Sequence, residues 1–241
     1  MADKLGFVFD LDGTLINSTE IGKIIEKEVY NRFEIKISEK IEAEIEEIVY
    51  EILHGENRKN LGTKLMWAIF KKIGLSFPQR IKALLMAAKI YKREIKKIDL
   101  YEGVKELIEF LDKNSFSYAI ATTSSAKEVN DRLERFPEFY KKFEGRIISR
   151  SSVKNLKPHP ESLQMAAKTI NIPPHRCIMV GDMHTDIKMG KNVNAVTIAV
   201  LTGIFSKEKF QPYDPDFILN SVTDIPKKIN DIIQRVNERS K

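Results

Sequence analysis

Leu5-Gly6-Phe7-Val8-Phe9 runs directly into Asp10-Leu11-Asp12-Gly13-Thr14, and the reading of this stretch decides the fold. The first five residues have the look of a short buried strand, and two acids then leave its carboxyl end beside a glycine and a hydroxyl. With Leu11 turned away, the alternation of a strand end lets both carboxylates approach one small volume and hold a hard cation such as Mg²⁺. The same residues also read as an ordinary Asp/Gly turn. An EF-hand loop fits less well, because the glycine comes too early and no later acidic ligands follow at the required spacing.

With 241 residues, 42% hydrophobic and 31% charged, the chain has an ordinary soluble balance and enough material for one large core or two modest ones. Its one cysteine, Cys177, lies inside the apolar run Cys177-Ile178-Met179-Val180, which excludes an internal disulfide and predicts a buried thiol. No apolar segment approaches the roughly 20 residues needed to span a bilayer. The first strand begins too close to Met1 to leave room for a signal peptide, so a cytoplasmic protein without a membrane partner is expected. The net charge of +6 is unevenly spread. Lys71, Lys72, Arg80, Lys82, Lys89, Lys92, Arg93, Lys96 and Lys97 face only Glu94 in that stretch, which suits either a solvated helical face or an anionic partner.

Short β-rich runs occur at Leu5 to Phe9, Phe116 to Ala121, Arg146 to Ile148, Arg176 to Val180, Ala195 to Val200 and Phe217 to Leu219, mostly separated by helical periodicity. This alternation predicts an α/β fold with a parallel sheet between helices. Residues 17–98 break it, reading as helix throughout. Ser38 is a candidate N-cap for a helix carrying Ile41, Ile45, Ile48, Val49 and Ile52, and Pro78 opens another. The expected organisation is a core of residues 1–16 and 99–241 with a helical insert over 17–98.

Three further clusters follow strands. Thr122-Thr123-Ser124-Ser125 offers hydroxyls at a helix start, which cap the helix or bind a phosphate oxygen. Lys157-Pro158-His159-Pro160 holds a lysine in a rigid, extended turn, suited to neutralising phosphate. Gly181-Asp182-Met183-His184-Thr185-Asp186 presents two carboxylates four apart across a first helical turn. His184 is a poor ligand for a cation that prefers oxygen, and His159 and His175 are expected exposed and without a role. In a parallel sheet all four clusters converge on the crevice at the strands' carboxyl edge.

In order along the chain, these clusters resemble the four motifs of the haloacid dehalogenase-like hydrolase superfamily. The resemblance implies a Rossmann-like core and, over the insert, a type 1 all-helical cap domain, as in phosphoglycolate phosphatase-like and β-phosphoglucomutase-like enzymes. It implies that Asp10 is the nucleophile, forming an aspartyl-phosphate, and that Asp12 is the general acid and base. Mg²⁺ would be bound by the Asp10 carboxylate, the Asp12 backbone carbonyl, Asp182 and Asp186, the last directly or through water. Thr122 and Lys157 would stabilise the transferring phosphoryl group, with Gly13 and Thr123 beside it. In the insert, His54-Gly55-Glu56-Asn57-Arg58 resembles the cap's specificity loop, with Gly55 allowing the turn and Arg58 reaching the substrate.

Asp12 bears on the branch, since haloacid dehalogenases carry Tyr and phosphonoacetaldehyde hydrolases Ala there. Thr123 and Asn17 depart from many relatives, at positions away from the core chemistry. The expected activity is hydrolysis of a small phosphorylated metabolite, phosphoglycolate being the favoured substrate, by a monomer or homodimer. A phosphomutase of the same fold is the first alternative. A non-catalytic nucleic-acid-binding or scaffolding protein using the basic stretch is the second, disfavoured because every catalytic residue type is retained.

Overall fold

Strand β1 (Gly6–Phe9) lies at the centre of a six-stranded, all-parallel sheet. The other strands are β2 (Ser117–Ala121), β3 (Ile147–Ile148), β4 (Cys177–Gly181), β5 (Val196–Val200) and β6 (Phe217–Leu219), in the order β3-β2-β1-β4-β5-β6. The computed structural model describes residues 4–54 and 61–239. All six expected strands form, and the four in the middle of the sheet are almost wholly buried, as helices on both faces require.

Register is set by direct pairing, with Gly6 opposite Ser117 on one side and Cys177 on the other. On one face Val8, Ala119, Ala121 and Met179 pack with Leu163, Ala166 and Ala167 of the helix Glu161–Thr169. Small residues on both partners let that helix sit close. Side chains of β1 that point the other way form an aromatic group, Phe7 lying 5.9 Å from Phe9 and 5.7 Å from Phe116, centroid to centroid. Cys177 is buried, as expected, and burial pushes its thiol up to about 12.

The chain divides into two compact units, residues 1–19 with 98–241 and residues 20–97. At the edge of the sheet unit the outgoing and returning strands run side by side. The Asn17 N–H donates to the Asp99 carbonyl at 2.9 Å and the Tyr101 N–H to that of Leu15 at 3.0 Å.

The other unit holds four α-helices among its described residues, α1 (Thr19–Arg32, whose first residue belongs to the sheet unit), α2 (Glu39–His54), α3 (Leu61–Lys72) and α4 (Phe77–Glu94), the last followed by a single 3-10 turn at Ile95–Lys97; the helices of the sheet unit continue with α5 (Val104–Lys113), α6 (Ala126–Leu133), α7 (Pro137–Lys142), α8 (Glu161–Thr169) and α9 (His184–Lys191). Ser38 caps α2 through the Ile41 N–H, and Pro78 lies in the first turn of α4. Most of the basic stretch is exposed here. Several of its members are paired within the unit, Lys72 with Glu44 at 2.9 Å and Arg93 with Glu28 and Glu94. Arg80 stacks on Trp67, 4.5 Å from the ring centre.

Candidate active site

Strand order reverses between β1 and β4: from β1 the chain builds outward through β2 and β3, then returns to lay β4 on the other side. A crevice opens at the carboxyl ends of such a pair. Asp10 follows β1, Asp182 follows β4, and the Asp10 N–H still bonds the Val180 carbonyl at 2.8 Å, so the two acids are held by the sheet itself. Asp186 comes from the first turn of helix α9 (His184–Lys191). Its Oδ2 accepts from the Met183 N–H at 3.1 Å, which aims the other oxygen back at the strand ends.

Carboxylate oxygens of Asp10, Asp182 and Asp186 lie within 4.8 Å of one another, and all three residues are buried. The Lys157 ammonium is wedged among them, 2.7 Å from Asp10 Oδ1 and 2.6 Å from Asp186 Oδ1. Three carboxylates against one ammonium leave a buried charge of −2 when all are ionised. Burial pushes the Asp10 carboxyl up to about 7 against the pull of Lys157. Asp182 is raised well above the carboxylate range, first by burial and then by the charges of Asp10 and Asp186. Burial opposes the charge of Lys157, but those same acids outweigh it and hold the ammonium above its ordinary value. An all-oxygen donor set with uncancelled negative charge fits a hard divalent cation.

Lys157 reaches this position from a tight turn in which the His159 N–H donates to the Leu156 carbonyl at 3.0 Å, rather than from an extended segment. Its peptide bond to Pro158 is cis. Thr122 is buried at the end of β2 and its hydroxyl accepts from the Ser124 N–H at 3.1 Å, while Thr123 is exposed. Ser125, not Thr122, caps the following helix α6 (Ala126–Leu133), in a reciprocal box with Glu128. Gly13 has φ +74 and packs against the Asp182 side chain, a β-carbon there falling inside contact distance of that carboxylate. Gly55 and Arg58 lie outside the described residues.

Two findings differ from the expectations. The Asp12 carboxylate does not join Asp10 around one small volume: it stands outside the three-acid group and is bound by Ser124 and Arg132. Ser124 belongs to the hydroxyl cluster already singled out, whereas Arg132 was missed, though position 132 carries a signal. Val129, Arg132 and Leu133 are the buried residues of α6, so Arg132 occupies a core position in an i, i+3, i+4 pattern. His184, read only as a poor metal ligand, is the buried first residue of α9, stacked on Phe205 at 5.3 Å and tilted against Tyr213 at 5.0 Å.

The sequence model of the haloacid dehalogenase-like hydrolases matches residues 7–200. The pyrophosphatase PpaX of Bacillus thuringiensis (strain Al Hakam) is 27% identical over 229 residues, covering 93% of this chain and 96% of its own. Among solved structures, a haloacid dehalogenase family hydrolase from Deinococcus radiodurans R1, with bound phosphate and sodium, superposes with a TM-score of 0.75 at 18% identity, covering 96% of this chain and 97% of that one. A predicted phosphoglycolate phosphatase from Haemophilus somnus 129pt gives 0.71 at 20% identity, with 95% and 99% covered. This chain belongs to the haloacid dehalogenase-like hydrolases.

Proposed function

We propose that this hydrolase is a Mg²⁺-dependent phosphatase of small phosphorylated metabolites, working through an aspartyl-phosphate on Asp10. The observation that carries the reading is the Asp10 carboxylate, fixed at the end of β1 with one oxygen on Lys157 and two more acids beside it. A phosphatase-type relative across nearly the whole chain supports it.

Asp10 attacks phosphorus, which splits one difficult hydrolysis into two displacements. Lys157 has its ammonium already between Asp10 and Asp186, so the positive charge is in place before the phosphoryl group arrives and needs no reorganisation. Thr122, at the end of the neighbouring strand, binds phosphoryl oxygens with the amides that follow it, Thr123 and Gly13 lying alongside. Mg²⁺, for which Asp10, Asp182 and Asp186 are a fitting donor set together with the Asp12 carbonyl, would cancel charge between the anionic nucleophile and the phosphoryl group. Asp12 protonates the leaving oxygen and then takes a proton from the attacking water. Residues 20–97 act as the cap, with Gly55 and Arg58 as its substrate-sensing loop.

Turnover of p-nitrophenyl phosphate with Mg²⁺, with EDTA and by Asp10→Asn is the test. Release that is lost with EDTA and with Asp10→Asn, together with acid-stable trapping of phosphate on wild-type protein only, is the expected result. Absence of metal-dependent release defeats the reading. A panel of phosphate esters then ranks substrates by kcat/KM, with phosphoglycolate expected first. The Bacillus pyrophosphatase earns inorganic pyrophosphate a place on the same panel.

A further inference from the structure

Asp12 is held by one oxygen only. Its Oδ2 accepts from Arg132 Nη1 at 2.7 Å and from Ser124 Oγ at 2.7 Å, while Arg132 Nη1 also donates to Ser124 Oγ at 2.5 Å. These contacts close a triangle of three polar atoms with that oxygen at one corner. The other oxygen, Oδ1, is buried and accepts no hydrogen bond among the described residues. A buried carboxylate oxygen without a donor is costly and invites a functional explanation. Arg132 is itself only 5% exposed, so this contact is built into the inner face of α6 and is not a chance surface pair.

We propose that Arg132, with Ser124, is a positioning residue for proton transfer: it tethers Asp12 by Oδ2 so that Oδ1 is the oxygen that gives and takes the proton. The inference rests on the acid and base role given to Asp12 above. In the first displacement an Asp10 oxygen bonds to phosphorus and the P–O bond to the leaving group breaks. Its electron pair goes to the leaving oxygen, which takes the proton from Oδ1 and departs as the alcohol. In the second, a water oxygen bonds to phosphorus and passes one proton to Oδ1. The acyl-phosphate P–O bond then breaks, returning Asp10 as carboxylate and releasing inorganic phosphate. An untethered aspartate exchanges its two oxygens by rotation about Cβ–Cγ. The paired donors on Oδ2 stop that exchange and keep Oδ1 in one place.

The test uses leaving groups of different need. p-Nitrophenolate departs as an anion, whereas the oxygen of a simple alkyl phosphate must be protonated, and kcat/KM reports the displacement in which it leaves. Arg132→Gln is expected to lower kcat/KM for the alkyl phosphate by about 10²-fold and to change that for p-nitrophenyl phosphate far less. Asp12→Asn shows the same split, and combining the two variants costs no more than Asp12→Asn alone. Ser124→Ala shows the same split between the two esters, more weakly, and Arg132→Lys recovers part of the loss. Equal losses on both esters, or additive losses in the double variant, overturn the role of Arg132 while leaving Asp12 as the acid. If Asp12→Asn itself shows no split, the acid and base reading fails and the proposal falls with it. Should Arg132→Gln not fold, as judged by circular dichroism, Ser124→Ala carries the same comparison, and its failure to separate the esters is decisive against the tether.

Discussion

Asp182 owes its position to two residues that have no side chain. A β-carbon on Gly13 or on Gly203 would fall against the Asp182 carboxylate, so each glycine leaves the space the acid occupies. Gly203→Ala is the cleaner probe, because Gly13 also has a positive φ that a substitution would strain. The added methyl displaces the carboxylate from the acid group, and apparent Mg²⁺ affinity, read by titrating activity, is expected to fall roughly 10–100-fold. An unchanged affinity would mean that Asp182 does not hold the metal. At this scale the sequence was readable in which residues meet: Asp10, Lys157 and Asp186, each a candidate from its type and place after a strand, are brought together by the fold. Asp12 was harder: its identity is plain, but its orientation depends on Arg132, 120 residues away.

Secondary-structure elements were the most legible feature, for reasons visible in particular segments. β1 and β4 are unbroken apolar runs followed directly by an acid, and β5 departs from that only at Thr197, the near-continuous hydrophobic pattern of strands buried on both faces. Helix α6 was anticipated from its hydroxyl-rich start, and its cap proves to be Ser125, whose Oγ accepts from the Glu128 N–H at 3.3 Å while Glu128 accepts from the Ser125 N–H at 2.6 Å. Ser125→Ala should destabilise the protein by about 1 kcal/mol, measured as a lower midpoint in urea with an unchanged slope. Because α6 also carries Arg132, the same variant is expected to lower turnover of alkyl phosphates. The surroundings of His184 were not legible, because its partners Phe205 and Tyr213 come from a later segment of the chain. Stacking, not solvent, receives the ring.

Across the whole molecule, the acid group is a site whose charge is not balanced by the protein alone. Asp182 is raised by burial and by Asp10 and Asp186, so the folded protein without metal binds more protons than the unfolded chain from the ordinary carboxylate range upward. Stability contributed by this group is therefore lost as pH rises, the reverse of a salt-bridged acid. In EDTA, Asp182→Asn is expected to be more stable than wild type, with a Tm advantage that grows from pH 4 toward neutrality. Saturating Mg²⁺ should raise the wild-type Tm in proportion to its binding and leave the variant almost unmoved. A variant that is less stable than wild type in EDTA at neutral pH would contradict this account.

The pairing of β1 with β4 carries a consequence for folding kinetics. Thr14 donates to Asp182 at 3.2 Å across 168 residues of sequence, so the acids of the reaction centre meet only when two distant parts of the chain are in register. Parallel pairings of this range are slow to form, because long loops must close before their contacts can be made. The expectation is that the pocket is completed only after the folding transition state. Mg²⁺ should then slow unfolding and leave the folding rate nearly constant, moving one arm of a chevron plot and not the other.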